Sequence, residues 1–357
     1  MSTIHPFSEQ LLIWYEKNAR DLPWRQTTDP YLIWLSEVIL QQTRVAQGLP
    51  YFEKFKENFP TVFDLAAAPE NVLLRHWQGL GYYSRARNLQ KTAKIVVEQF
   101  KGVFPKSYLE LIKLPGIGPY SAAAISSFAF GEPHAVVDGN VFRILARYFG
   151  IDVDIADSKN RKIFENLAND LLIKSQAAKF NQSIMEFGSL QCSPSPNCTD
   201  CPLRLSCFAF QNDKVNLLPI KTNKVKISSR YFNYFVIEKN NKILVKKRTN
   251  KDIWAGLYEF YLIETTYTLG LSEILLNDKK MAFLQNFVIE LSSPKAHKLS
   301  HQKIFTKAFY VQIPDNFEIE IDEEYEWKTA LELDELGKPV LIGNLITDNL
   351  HLPIFNF

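Results

Sequence analysis

Apolar positions in the first 210 residues recur every three or four residues, which indicates one helix after another. The first stripe begins at Phe7, and Pro23 ends that segment. A second helix is predicted from Asp29-Pro30 through Gln47, because proline is favourable in a first helical turn. Further helices are predicted at 51–59, 61–67, 70–76, 84–100, 106–113, 121–130, 139–149, 158–172 and 177–190.

The apolar period changes after Arg230. Residues 231–237 and 242–246 are rich in β-forming side chains, and Asn240-Asn241 between them predicts a hairpin. Residues 303–312 and 318–321 continue the strand pattern, and a helix is predicted at 271–284. The C-terminal third is therefore predicted to be a separate α+β domain.

Composition is that of a globular chain long enough for two or three domains, with 46% apolar and 13% aromatic residues in 357. No apolar run approaches the roughly 18 residues of a membrane helix, and no basic segment precedes an apolar one at the N-terminus. We therefore expect no membrane span, no signal peptide and a cytoplasmic protein. The net charge of +2 is uninformative, but ten carboxylates in 315–335 place any anion-binding surface elsewhere.

Two glycines, Gly116 and Gly118, separate two predicted helices. Glycine exposes backbone N–H groups, and the N-terminus of the following helix adds a positive dipole. This combination suits a phosphate and reads no base sequence. Taken alone, the glycines are better explained as an ordinary connection between helices.

Two carboxyl groups are candidates for catalysis. Glu37 lies on a strongly apolar helix, and Asp138 immediately precedes another helix. Singly, Glu37 is better explained as a surface partner of Gln41 or Arg44, and Asp138 as a helix cap. As a pair they indicate acid-assisted cleavage of a glycosidic bond, since an apolar site keeps one carboxyl protonated while a helix N-terminus keeps the other ionised.

All four cysteines lie between residues 192 and 207, which in a cytosolic protein indicates a metal rather than disulfides. The gaps hold five, two and five residues, whereas a zinc site usually has two close pairs. The spacing favours a [4Fe–4S] cluster with a structural role. Its predicted ligands are Cys192, Cys198, Cys201 and Cys207.

These motifs together resemble the helix-hairpin-helix DNA glycosylase superfamily. The resemblance rests on Leu114-Pro-Gly-Ile-Gly118, on Asp138 twenty residues later and on the cysteine loop. Within that superfamily the chain is similar to the adenine DNA glycosylases of the MutY type. That similarity is carried by residues 34–43, 79–88 and 137–140, and it covers most of residues 7–210.

The resemblance implies removal of adenine mispaired with 8-oxoguanine or guanine. Glu37 would protonate adenine N7, and Asp138 would stabilise the sugar cation through its charge or a transient covalent bond. Tyr120 and Asn140 match positions that support this site. Related bifunctional enzymes carry a lysine where this chain has Tyr120, so we expect a monofunctional glycosylase that hydrolyses the bond without cutting the strand.

The resemblance also implies the DNA contacts, because the target adenine has to be flipped out of the duplex. Trp24 and Arg25 would line the adenine pocket, and Gln42, Leu80 and Tyr82 would enter the gap left in the stack. From the residues alone, Trp24 and Tyr82 are better explained as core aromatics. The remaining predicted DNA-binding residues are Thr43, Gly116 and Gly118.

The C-terminal domain resembles the Nudix-like domain that reads 8-oxoguanine in this family, through residues 254–260 and 299–301. Ser300 would hydrogen-bond the lesion, although from sequence alone a tight turn explains it better. The chain departs from the family pattern by Leu299 in place of phenylalanine and by five residues, instead of six, in the first cysteine gap. No Nudix box follows Gly256, so nucleotide diphosphate hydrolysis is not expected.

We therefore predict a mainly α, two-lobed helix-hairpin-helix glycosylase with an iron-sulfur loop and a C-terminal α+β Nudix-like domain. The predicted divisions are a cluster lobe (1–28 and 131–218), a six-helix lobe (29–130), a linker (219–229) and the Nudix-like domain (230–357). The expected partner is double-stranded DNA containing an adenine mispair, bound by a monomer. Two alternatives are an endonuclease-III-like enzyme for oxidised pyrimidines and a non-catalytic damage-binding protein.

Overall fold

The computed structural model describes residues 4–222, 227–249 and 252–349, so residues 223–226 of the predicted linker lie outside the described residues. Described residues 4–67 and 88–222 form one compact unit, and residues 68–87 with 227–349 form a second. This grouping cuts across the lobes drawn from the sequence, and that division remains a prediction. Within the described ranges, no helix is both long and apolar enough to cross a membrane.

The helices occupy most of the N-terminal two-thirds of the chain. In chain order they are α1 (Pro6–Asn18), α2 (Pro30–Leu40), α3 (Val45–Asn58), α4 (Val62–Ala67), α5 (Glu70–Trp77), α6 (Ser84–Phe100), α7 (Tyr108–Leu111), α8 (Pro119–Phe130), α9 (Gly139–Phe149), α10 (Arg161–Leu171), α11 (Ala177–Leu190), α12 (Phe208–Gln211), α13 (Leu271–Leu276), α14 (Ala330–Glu335) and α15 (Val340–Asp348).

The second predicted helix is shorter than expected. Asp29 caps α2 by accepting a hydrogen bond from the Tyr31 backbone N–H at 2.9 Å, as the Asp-Pro pair predicts. However, α2 ends at Leu40, and Gln42 adopts a left-handed backbone with φ of 55° before α3 begins at Val45. The prediction of one helix through Gln47 is therefore wrong, because the chain breaks at residues 41–44.

One hydrophobic core of the first unit is built from α1, α9, α10 and α11. Fully buried side chains from each helix meet there, including Leu11, Val141, Phe164 and Phe187. Asp138 is the N-cap of α9, and Gly150, with a left-handed φ of 71°, is its C-cap. The core thus fixes α9, and with it the position of Asp138.

The described part of the second unit contains a six-stranded mixed sheet. Its strands are ordered β4-β5-β1-β3-β2-β6, and the β1–β5 pair is parallel while the other pairs are antiparallel. Helix α15 packs on one face and α13 on the other. Burial on both faces explains the nearly continuous apolar run in β1. The strands are β1 (Ser228–Lys239), β2 (Lys242–Lys247), β3 (Tyr258–Thr265), β4 (Val288–Lys298), β5 (Gln302–Gln312) and β6 (Tyr325–Lys328).

Two predictions for this unit are wrong. Residues 318–321 form an irregular segment and not a strand. Ile319 and Ile321 pack against the core while the glutamates beside them do not, which gives the alternation of a strand without backbone pairing to another strand. The helix predicted at 271–284 is split into α13 and a 3-10 helix over Lys279–Asn286.

Residues 68–87 belong to the second unit through direct contacts. Arg75 pairs with Asp334 at 3.1 Å, and a Cβ added to Gly337 would lie 3.2 Å from the Leu74 Cβ. Helix α5 therefore packs against the segment that precedes α15. The loop that follows α5 belongs to the same unit.

Candidate active site

A cavity of about 610 Å³ lies within the first unit. It is lined by ten of the predicted site residues: Trp24, Arg25, Glu37, Gln42, Thr43, Gly116, Gly118, Tyr120, Asp138 and Asn140. The elements that carry them include α2, the break after it, the glycine hairpin and the start of α9. Three other predicted residues, Leu80, Tyr82 and Ser300, lie in the second unit.

Glu37 points into this cavity from α2 and is 7% exposed. Burial raises the pKa of Glu37 to about 7, since desolvation disfavours the charged form. A hydrogen bond from Tyr120 and the charge of Arg25 act to lower that pKa, whereas the negative charge of Asp138 acts to raise it. Glu37 can therefore hold and release a proton near neutral pH.

Asp138 occupies the N-cap of α9. Its Oδ1 accepts hydrogen bonds from the backbone N–H groups of Asn140 at 2.9 Å and Val141 at 2.8 Å, and its Oδ2 accepts one from Asn140 Nδ2 at 2.8 Å. Burial raises the pKa of Asp138, while these hydrogen bonds and the Arg143 charge oppose the rise. Each hydrogen bond favours the ionised carboxylate and fixes its orientation.

Arg143 connects Asn140 to the segment that carries the cysteines. Its Nη2 donates to Asn140 Oδ1 at 2.9 Å and to the Gly188 carbonyl at 2.6 Å. Its Nε donates to the Cys192 carbonyl at 2.7 Å. The orientation of Asn140 is thus held from the start of the cysteine loop.

Glu186 and Arg20 also line the cavity, and sequence analysis missed both. Glu186 is 1% exposed and accepts hydrogen bonds from Arg20 Nη2 at 2.6 Å and Arg25 Nη2 at 2.8 Å. Burial acts to raise the pKa of Glu186, but the two arginines lower it to about 2. The ion pair between Arg25 and Glu186 fixes the Arg25 guanidinium at the wall of the cavity. Arg20 and Glu186 are 166 residues apart, so no local pattern predicts their contact.

In the second unit, the structure brings Tyr82 and Ser300 together, and their hydroxyl groups share a hydrogen bond. Tyr82 has a left-handed backbone with φ of 47°, which is uncommon for a side chain of this size. Arg85 supports the loop before it by donating from Nη2 to the carbonyls of Leu80 at 3.1 Å and Gly81 at 3.2 Å. The Arg85 guanidinium also lies 5.7 Å from the Tyr82 ring centroid.

The four cysteines line one small cavity of about 30 Å³, which Arg147 and Arg204 also line. Burial and, to a smaller extent, the negative charges of the other three cysteines raise the pKa of Cys201 to about 11, so the sulfur atoms are close enough to interact. Among the described residues, no three His, Cys, Asp or Glu side chains are arranged to hold one metal ion. A [4Fe–4S] cluster binds one cysteine at each of four irons, so its ligands surround a larger centre. Four thiols around one cavity match the number of cysteine ligands that such a cluster needs.

Comparison with known proteins agrees with this arrangement. Residues 35–170 match the family described as "HhH-GPD superfamily base excision DNA repair protein", and residues 233–348 match the NUDIX domain family. The first match contains Glu37, Tyr120, Asp138 and Asn140. The second spans most of the sheet of the second unit.

The chain is 34% identical over 351 residues to the adenine DNA glycosylase of Buchnera aphidicola subsp. Baizongia pistaciae, covering 96% of each chain. A thermostable thymine-DNA glycosylase is similar in structure, with a TM-score of 0.54 and 29% identity over 58% of this chain and 95% of the other. A trapped endonuclease III–DNA covalent intermediate gives a TM-score of 0.52 and 25% identity, over 60% and 99% of the two chains.

The fold, the carboxyl-lined cavity and these matches define a DNA glycosylase of the helix-hairpin-helix class. An enzyme of this class breaks an N-glycosidic bond in base-excision repair. More narrowly, the chain belongs to the adenine DNA glycosylase family, because its 34% identity to a member extends over nearly the whole of both chains. The predicted resemblance to that family, the Nudix-like domain and the enzyme class are confirmed.

Proposed function

We propose that this glycosylase removes adenine mispaired with 8-oxoguanine, or with guanine, from double-stranded DNA. The observation that carries the proposal is the placement of Glu37 and Asp138 in one cavity, where the pKa of Glu37 is about 7. Names of the curated relatives support adenine as the base removed. The match to a Nudix domain supports recognition of a lesion opposite that adenine. Ser300 of this domain is exposed, so its hydroxyl is accessible to DNA.

The reaction begins when the flipped adenine enters the cavity, after it has lost its stacking and base-pairing interactions in the duplex. Glu37 donates its proton to adenine N7. The N-glycosidic bond then breaks, and its electron pair leaves with the base. Asp138, as a carboxylate, stabilises the positive charge that develops on the sugar. Water adds to the sugar carbon and loses a proton, which leaves an abasic site.

Three neighbours prepare these two carboxyl groups. Tyr120 donates a hydrogen bond to Glu37 and so tunes its pKa. Asn140 orients Asp138 through its side-chain amide. Arg25, held by Glu186, and Trp24 supply the polar and apolar walls of the adenine pocket.

The same cavity supports a monofunctional reaction. Strand cleavage by a Schiff base needs an amine that attacks the sugar carbon. Burial raises the pKa of Tyr120 well above its ordinary value, so this residue stays a neutral phenol. No lysine is among the described residues that line the cavity.

Contacts with DNA are assigned to backbone features on both units. Gly118 precedes α8, and a Cβ added there would meet nothing within 4 Å, so the hairpin backbone can approach a phosphate closely. Gln42 and Tyr82 both have left-handed backbones, and strained residues of this kind cluster at functional sites. We assign both, with Leu80, to the gap left by the flipped base.

We assign a [4Fe–4S] cluster to Cys192, Cys198, Cys201 and Cys207, whose thiols share one cavity. When bound, the cluster supplies cationic charge that stabilises four thiolates and cross-links the loop. Arg143 and Arg147 contact Cys192 through its carbonyl at 2.7 Å and its sulfur at 3.5 Å, so the loop geometry reaches Asn140 through Arg143. Glu37 and Asp138 carry out the catalytic steps on adenine.

The deciding experiment is single-turnover excision on a duplex with adenine opposite 8-oxoguanine. Strand breaks should appear only after alkali, and borohydride should trap no protein–DNA adduct. Asp138→Asn should remove turnover but keep mispair binding. Release of no adenine by the wild-type enzyme would end the proposal, and efficient trapping by borohydride would favour the endonuclease-III-like alternative.

A further inference from the structure

The segment that delivers Asp138, residues 131–138, is neither helix nor strand. Its buried backbone groups therefore need partners outside regular structure. A single side chain, Asn181 on α11, supplies two of them. The Val136 N–H donates to Asn181 Oδ1 at 3.0 Å, and Asn181 Nδ2 donates to the His134 carbonyl at 2.8 Å.

The same carboxamide also reaches the helix that carries Tyr120. Asn181 Nδ2 donates to the Ser127 hydroxyl at 2.9 Å, and Ser127 lies on α8, whose first turn contains Tyr120. Both Asn181 and Ser127 are fully buried. One side chain therefore ties together α11, α8 and the segment that ends at Asp138.

Side-chain packing reinforces this connection. Val136 is 1% exposed and packs with Ala123 and Ala124 of α8, in a cluster that also includes Tyr120. Asp138 follows Val136 by two residues, and Tyr120 donates a hydrogen bond to Glu37. A shift of the segment at Val136 would therefore move Asp138 relative to both Tyr120 and Glu37.

We propose that Asn181 is a positioning residue for adenine excision, which holds Asp138 at the correct place relative to Glu37 and Tyr120. The inference rests on the catalytic role proposed for Asp138. A carboxamide suits this position because it accepts from one backbone group and donates to another at the same time. Aspartate has the same size but has no donor when it is ionised.

The test is Asn181→Asp in the full-length enzyme, with single-turnover excision measured at saturating enzyme over a range of pH. At about pH 8 the introduced carboxylate faces the His134 carbonyl, and we expect excision at least about tenfold slower than in the wild type. Burial raises the pKa of the new carboxyl, so acid pH restores one donor. The ratio of variant to wild-type rates should therefore rise toward pH 5, while affinity for a mispair with a non-cleavable adenine analogue stays near the wild-type value.

Asn169→Asp is the matched control. Asn169 Oδ1 accepts from the Ala135 N–H at 3.1 Å in the same segment, but this side chain is exposed and the acceptor survives the change. Its rate should equal that of the wild type. A ratio for Asn181→Asp that stays constant with pH, or a rate equal to the wild type, would overturn the inference.

If Asn181→Asp does not fold, Ser127→Ala decides the question, because it removes one partner of the carboxamide and leaves the segment untouched. We expect excision roughly three- to tenfold slower, with a melting temperature lowered by no more than a few degrees because one buried N–H loses its acceptor; a wild-type rate would overturn the inference. Failure of the proposed function is recognised separately: the wild type would release no adenine, or Asp138→Asn would retain full turnover.

Discussion

A carboxyl group buried on α2 sets the chemistry that this protein can perform. The apolar helix around Glu37 predicts a raised pKa from sequence, and burial in the structure is the physical cause, since it raises the pKa of Glu37 to about 7. The sequence predicts this burial because apolar residues surround Glu37 along its helix. It does not predict Glu186 or Asn181, since their partners come from distant elements.

Replacing Glu37 separates activity from stability. Glu37→Gln removes the proton donor, so excision should fall at least about 100-fold while mispair binding remains. The pKa is about 7 in the folded protein and ordinarily 4.5, so the folded state holds the extra proton between these values and loses stability as pH rises through them. The glutamine variant should thus be more stable than the wild type at pH 8, by up to about 3 kcal/mol, and equally stable at pH 4. Single-turnover assays and thermal melts at both pH values check this; a less stable variant at pH 8 would contradict it.

Tyr120→Phe tests the tuning of the same group. The Tyr120 hydroxyl lowers the pKa of Glu37 by donating a hydrogen bond, so its removal should raise that pKa above about 7. The alkaline limb of the profile of excision rate against pH should move to higher pH, because Glu37 must be protonated to donate its proton. Phe128→Leu, at another residue that lines the cavity, should leave the limb in place. A limb that moves to lower pH with Tyr120→Phe would refute this account.

At the scale of elements, periodicity predicts the existence of most helices but not the points where they break. Helix α2 stops at Leu40, before the predicted end at Gln47, and α7 covers only Tyr108–Leu111 of the predicted 106–113. Strand β3 was also missed, because burial on both faces removes the alternation that marks a strand. Tertiary packing decides these cases.

The glycine hairpin offers a matched pair of substitutions. Gly116 has φ of 76°, and an added Cβ would lie 2.8 Å from the Asn88 Cβ, so Gly116→Ala should cost about 1 to 3 kcal/mol of stability. Gly118 has φ of −87° and open space around the added Cβ, so Gly118→Ala should melt like the wild type but bind DNA more weakly. Thermal melts and duplex titrations distinguish the two. Equal DNA affinity for Gly118→Ala and the wild type would exclude this backbone from the interface.

At the scale of the whole molecule, the chain does not divide where composition changes. Residues 68–87 belong to the second unit although they lie between helices of the first. The strand pattern predicts the C-terminal domain, but no local sequence pattern predicts the contacts of Leu74 with Gly337 and of Arg75 with Asp334. Loop residues Leu80 and Tyr82 follow α5 within the same unit.

Ser300→Ala tests how the second unit contributes to choice of substrate. Loss of one hydrogen bond to the lesion should reduce the preference for 8-oxoguanine over guanine opposite adenine by about five- to tenfold. Ser272→Ala, at an exposed serine of the same unit, is the control and should not change that preference. Comparing affinities for the two mispairs measures the effect. An unchanged preference in Ser300→Ala would remove this residue from lesion reading.

Under the roles proposed above, the hydrogen bond between Tyr82 and Ser300 would have to break before either side chain acts on DNA. Away from DNA, the side chain assigned to wedge between bases and the hydroxyl assigned to the lesion satisfy each other. A lesion that offers Ser300 a hydrogen bond would replace the one lost to Tyr82, and this exchange would couple insertion of Tyr82 to the presence of damage.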